Sequence, residues 1–339
     1  MSAMQGILLM AIGSLGASSF YVPFKKVKVW AWESYWIMQG VAAWLVAPLL
    51  FAWFTIPDGA LFQVLADAPD KPKWLAIMFG ALWGIGGLTF GLSIRYLGVA
   101  LGQSIALGLT AAFGTLVPPM VNPDSSLSWV LILGVSICVA GIAVIGYAGA
   151  LKNKSMTEEQ RKAAVSEFAL KKGILIAILA GVMSACFNFG LEAGKPIEVV
   201  AQSYGTNSLF LKNPTLVFIL WGGFVTNALY CFFLNIKKGT YRDYFQSGGK
   251  VFFNNLFFTF LAGFLWFLQF HFLGMGQSKL PPELSVYGWS ILMALNISFS
   301  NVWGIILKEW KGANRATMVL LVVGIIVLVA STFVVNIPS

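Results

Sequence analysis

Charge is what this chain has least of. Only 10% of its 339 residues are charged, 58% are hydrophobic, and the mean hydropathy is +0.80. A water-soluble domain keeps about a quarter of its residues charged, so most of this surface is not built to face water. Histidine occurs once and cysteine three times, as Cys138, Cys186 and Cys231, each within an apolar run and none at a metal-ligand spacing. That scarcity excludes a zinc or iron centre and leaves three free thiols as the expectation. No H-E-x-x-H, no Gly-rich phosphate loop and no Ser/His/Asp arrangement is present, so an enzyme is not expected.

What the chain has in abundance is long apolar runs. A bilayer core about 30 Å thick needs about 20 apolar residues in helical form, and it tolerates no unpaired backbone. Ten runs meet that length, near 5–24, 34–56, 74–95, 99–120, 128–149, 171–194, 213–235, 251–274, 285–307 and 316–336. The expected fold is therefore an all-α membrane protein of ten transmembrane helices. The first run carries no basic residue before it and no small-residue cleavage pattern after it, whereas Lys25 and Lys26 follow directly. It reads as a retained helix rather than a signal peptide.

The net charge of +9 is unevenly spread: 17 of the 22 Lys and Arg lie in the first, third, fifth, seventh and ninth connections. The positive-inside rule makes that face cytoplasmic and both termini periplasmic, as in a bacterial inner-membrane protein. Topology accounts for this charge, and no nucleic-acid partner is implied.

Weak self-similarity runs through the two halves. Gly6-Ile7-Leu8 matches Gly173-Ile174-Leu175, Leu82-Trp83 matches Leu265-Trp266, and Leu131, Gly134, Val139 and Ala140 match Leu321, Gly324, Val329 and Ala330. Three matches in the same order imply a 5+5 inverted-topology repeat, because duplicating an odd number of helices turns the second copy over. The expected organisation is a first repeat over 1–150, a cytoplasmic connector over 151–170 and a second repeat over 171–339.

Several stretches resemble the L-rhamnose/proton symporter family of the drug/metabolite transporter superfamily. They are Phe20-Tyr21-Val22-Pro23-Phe24-Lys25-Lys26-Val27-Lys28 with Trp32-Glu33, Gly80-Ala81-Leu82-Trp83-Gly84-Ile85-Gly86, Arg95-Tyr96-Leu97-Gly98, Leu265-Trp266-Phe267-Leu268-Gln269 and Leu307-Lys308-Glu309-Trp310. The resemblance covers the whole chain. It implies proton-coupled uptake of L-rhamnose or a closely related deoxy sugar, with the proton as coupling ion, no other cofactor, and the sugar and the lipid bilayer as partners. The alternative on the same scaffold is an exporter of a metabolite or drug. An exporter of organic cations would keep a carboxylate deep in a span, and no span centre here carries one.

Polar residues inside the spans are costly and need a reason to be there. Helix six carries Ser184, Asn188, Glu192 and Lys195 on one stripe, which suits either a cavity wall or an interhelical bond with an end-of-helix ion pair. Helix eight carries Asn255, Thr259, Trp266 and Gln269 along one face. An indole can stack on the C–H face of a sugar, and an amide can both donate to and accept from hydroxyls. The candidate substrate-binding residues are Trp83, Gln103, Asn188, Asn255, Trp266, Gln269 and Asn301. Gly80, Gly84, Gly87 and Gly91 line one side of helix three, where packing is the simpler purpose. For the coupling proton Glu33 is the first candidate, with Lys25, Lys26 and Arg95 as charge partners. Equally, Glu33 reads as a carboxylate stabilised at a helix start. His271 is its rival as the one imidazole within a span.

Overall fold

Each apolar run folds as helix. The computed structural model describes residues 3–121, 127–155, 170–308 and 310–337, with the side chains of 95, 98–101, 103, 153 and 170 left out, and among the described residues there is no strand. Ten helical stretches among these residues are long and apolar enough to cross a membrane: α1 Ala3–Phe24, α2 Trp32–Thr55, α3 Asp70–Ile94, α4 Ser104–Val121, α5 Trp129–Lys152, α6 Lys171–Ser203, α7 Asn213–Lys238, α8 Gly249–Gln277, α9 Pro282–Ile306 and α10 Arg315–Asn336. All but one of their ends lie within five residues of the apolar-run limits. The exception is α6, which turns at Gly194 and continues as the short helix Lys195–Ser203. A side chain at Gly194 would collide with Thr215, so the bend needs glycine.

The backbone stays helical from Asp70 to Val121, although this is not one straight rod. A Cβ built on Gly102 would stand 2.8 Å from the Ser93 carbonyl oxygen, whereas nine residues of straight helix advance about 13 Å. The chain therefore turns back between α3 and α4.

By contact the chain divides into two compact units, Met1–Ala11 with Ile85–Phe189 and Gly276–Ser339, and Ile12–Gly84 with Gly190–Met275. In the first unit α5 lies on α10, with Gly141 against Leu328 and Gly324 against Ile145. An aromatic core locks beside them. Phe187 stacks on Trp289 at 5.6 Å, Trp289 Nε1 donates to the Thr110 carbonyl, and the Tyr287 hydroxyl donates to the Ser331 carbonyl over 2.7 Å.

In the second unit α3 and α7 touch backbone to backbone. Side chains on Gly80 or Gly222 would collide with the carbonyls of Ile219 and Ile77, so the glycine row on α3 serves packing at that end. Thr226 of α7 adds a hydrogen bond to the Ala81 carbonyl, 2.9 Å long. Where α2 ends, Ala52, Ile56, Leu61, Val64, Ala201 and Val217 bury one another. The short helices Leu61–Asp67 and Lys195–Ser203 supply part of this cap, and Lys212 pairs with Glu198 at 2.9 Å beside it.

Candidate functional site

The second unit holds a box of indoles, and its geometry begins with a proline. Pro48 offers no N–H to the Trp44 carbonyl, and its ring would crowd that carbonyl in a regular helix. The preceding turn widens instead: Val41–Val46 forms a turn of π-helix, closed by the Ala47 N–H on the Ala42 carbonyl. Turns of this kind are rare and concentrate at functional positions. Widening re-aims Trp44, whose ring folds back over Gly40. A Cβ there would lie 2.6 Å from the ring, so only glycine admits it.

Three spans supply the box. Trp44 of α2 meets Trp83 of α3 at 6.1 Å and Trp266 of α8 at 5.8 Å, both edge to face. Trp83 and Trp266 lie 5.7 Å apart, and Phe270 closes one side at 5.0 Å from Trp266. Trp36 joins at 6.1 Å from Trp44 while its own Nε1 donates to Asn227 Oδ1. Trp44 is buried, whereas Trp83 and Trp266 are partly exposed. The structure thus brings Trp83 and Trp266 together as their positions in the sequence suggested, and adds Trp44 and Trp36. Those two were hidden among 13 tryptophans, since neither belongs to the matched pair of the two halves.

Gln269 is buried one turn beyond Trp266, and its Nε2 donates to the Trp266 carbonyl at 3.0 Å. His271 follows. Its ring lies parallel to Phe210 at 5.7 Å and edge-on to Phe51 at 4.6 Å, and its Nδ1 is 3.0 Å from Asn213 Oδ1. Asn213 donates from Nδ2 to the Thr55 hydroxyl, so it presents its oxygen to the imidazole. The hydrogen therefore sits on Nδ1, and Nε2 carries the lone pair that can take a proton.

Glu33 stands at the other end of α2, 1% exposed, in the first helical turn. Its carboxylate takes a salt bridge from Lys238 at 3.2 Å and a hydrogen bond from the Thr240 hydroxyl at 2.9 Å. Asp243 fastens the same corner by accepting from the Ala31 N–H and the Ser34 hydroxyl at 2.7 and 2.8 Å. The Tyr244 hydroxyl donates to the Ser34 carbonyl; burial pushes its pKa up to about 12, so it stays protonated and donating. The ion-pair partner of Glu33 is Lys238, while Lys25 and Lys26 are exposed.

The remaining sequence candidates have other surroundings. Asn255 clamps the loop before α2, accepting from the Lys28 N–H at 2.9 Å and donating to the Lys28 carbonyl at 2.6 Å. It stands eleven residues from Trp266, about 16 Å along α8. Asn188 and Asn301 belong to the first unit; Asn188 donates to the Gly114 carbonyl and Asn301 to the Ile297 carbonyl of its own helix. Glu192 and Lys195, from the same stripe as Asn188, form an ion pair. The side chains of Arg95 and Gln103, and Glu309 with most of the 151–170 connector, lie outside the described residues. No group of three or more His, Cys, Asp or Glu able to hold a metal occurs among the described residues.

Comparison with known proteins gives this geometry a family. Residues 1–338 match the L-rhamnose-proton symport protein family. The chain belongs to that family. It is 32% identical to the L-rhamnose-proton symporter of Yersinia pestis (strain Pestoides F) over 342 residues, covering 98% of this chain and 96% of the relative. The L-rhamnose-proton symporter of Yersinia pseudotuberculosis serotype O:1b (strain IP 31758) matches to the same extent. The chain is thus a multi-pass membrane transporter and not an enzyme.

Proposed function

We propose that this protein carries L-rhamnose or a closely related deoxy sugar into the cell together with a proton, by alternating access. The observation that supports this most is the box of Trp44, Trp83 and Trp266, with two partly exposed indoles beside a buried amide. L-Rhamnose is a 6-deoxy sugar with a methyl group and a C–H face for the indoles and hydroxyls for the amides. The basic residues favour periplasmic termini, a cytoplasmic connector and a place in the inner membrane, and the matched halves favour two inverted five-helix repeats.

Of the two candidates for the coupling proton, His271 suits the task better. It lies five residues beyond Trp266, about 7 Å along α8, whereas Glu33 is eleven residues from Trp44, about 16 Å along α2. His271 keeps one nitrogen as a base, and the Phe210 and Phe51 rings can stabilise the imidazolium. Glu33 is already matched by Lys238 and Thr240 and serves as a brace. One proton crossing about 100 mV supplies about 2.3 kcal/mol. A pH difference of about one unit adds about 1.4 kcal/mol, enough together for roughly 500-fold accumulation.

Purified protein in liposomes with an inward pH gradient tests this reading. Labelled L-rhamnose should accumulate, and collapsing the gradient should release it. His271→Gln should exchange sugar without accumulating it, and Glu33→Gln should still accumulate it. Uptake indifferent to the gradient would refute symport, and the opposite behaviour of the two variants would move the proton to Glu33.

A further inference from the structure

Gln39 sits about two turns into α2, one residue before the glycine on which the Trp44 ring lies. It is 0% exposed, yet neither its Nε2 nor its Oε1 has a hydrogen-bond partner among the described residues. The Nε1 of Trp44, itself 2% exposed, has none either. A buried amide left unpaired is destabilising, and here three polar atoms within six residues of one helix share that condition. Other helical amides nearby are paired at once: Asn227 and Asn235 each donate to the carbonyl four residues back. Gln39 could use the same local solution and does not.

Its place on the helix explains what it serves. The Gln39 carbonyl lies where α2 crosses α8, 2.7 Å from a Cβ built on Gly263, one turn before Trp266. The π turn starts two residues later and brings Trp44 over Gly40. Gln39 and the Trp44 N–H therefore belong to the segment that carries one wall of the indole box.

We propose that Gln39 and the Trp44 N–H are the polar half of the sugar site, pairing with ring hydroxyls of the pyranose whose apolar side rests on Trp83 and Trp266. This rests on the sugar-uptake reading above and adds the residues that set its specificity. An amide offers one donor edge and one acceptor, which matches two neighbouring hydroxyls, and the indole N–H adds a further donor. A site that hydrogen-bonds a hydroxyl discriminates strongly against an analogue lacking it, because its own polar atoms are then stranded. The same amide is a liability in the empty protein.

Gln39→Met, of similar size and apolar, separates these properties. L-Rhamnose and a set of its monodeoxy analogues, each lacking one ring hydroxyl, would be titrated against the full-length parent and variant in detergent, with thermal unfolding of each sugar-free protein. The variant should unfold at the same temperature or higher and bind L-rhamnose about tenfold or more weakly. One analogue that binds the parent about tenfold more weakly than L-rhamnose should bind the variant as well as L-rhamnose does. Trp44→Phe, which removes the unpaired N–H together with the five-membered ring that carries it, should weaken L-rhamnose severalfold. Unchanged affinity in Gln39→Met, with or without a loss of stability, would overturn the proposal and leave Gln39 a structural residue or a host for internal water. So would an equal penalty for every analogue in both proteins. A parent that binds no deoxy sugar would instead remove the uptake reading, and this inference with it.

Discussion

Two aromatic clusters in this protein are built alike and finished differently. In the first unit Phe187 and Trp289 stack, the indole N–H and the Tyr287 hydroxyl each reach a carbonyl, and Thr115 pairs with Ser290 at 2.7 Å. Trp289 and Tyr287 are 2% and 1% exposed. In the second unit the indoles of Trp44, Trp83 and Trp266 meet mostly at their edges, two are partly exposed, and Trp44 and Gln39 keep unpaired polar atoms. A cluster that stabilises a fold satisfies its own hydrogen bonds, because an unpaired group costs more than a paired one returns. A cluster that receives a ligand leaves that satisfaction to the ligand.

The comparison can be broken by substitution. Trp289→Ala should have the largest effect, a loss of about 3–5 kcal/mol of stability, since it removes a fully buried indole and its bond to Thr110. Thermal unfolding in detergent would show it, and the fraction that remains folded should bind sugar as the parent does. Asn255→Ala should cost about 1–3 kcal/mol, because the Lys28 N–H loses its partner and the Lys28 carbonyl keeps only the Trp30 N–H, with sugar affinity unchanged. A drop in affinity without a drop in stability would return Asn255 to the substrate site. Glu192→Gln should be the mildest, at about 0–1 kcal/mol, as its partner Lys195 is half exposed and its charge is screened. Cysteine introduced at position 2 or 339 should react with an impermeant reagent from outside intact cells, against three native thiols that are buried. Protection of both positions would reverse the proposed topology.

The number of spans and nearly all their limits were legible in the sequence, because apolar length is a local property. Pairing Trp83 with Trp266 was also legible, through the match between the two halves. The box's third wall was not. It depends on a π turn that Pro48 induces at Trp44, which has no signature in hydrophobic periodicity. Gln39 carried a readable signal, an amide inside an apolar run, but one amide stands out less than the polar stripes of helices six and eight. The partners of Glu33, His271 and Asn255 lay beyond local reading, since Lys238, Asn213 and Lys28 are 205, 58 and 227 residues away in the chain. Glu33 and His271 were both proton candidates in sequence, and only the three-dimensional pairing distinguishes a braced carboxylate from an imidazole with a free nitrogen.

That these indoles receive the sugar is the claim on which the rest depends, and the affinity of Trp266→Ala for L-rhamnose tests it most directly. Calorimetric titration of the variant beside the parent, at equal folded concentration, should show binding weakened about 5- to 150-fold, the loss of a stacking surface worth about 1–3 kcal/mol. Binding equal to the parent's would mean that the box is another packing cluster and that the sugar site lies elsewhere in the molecule.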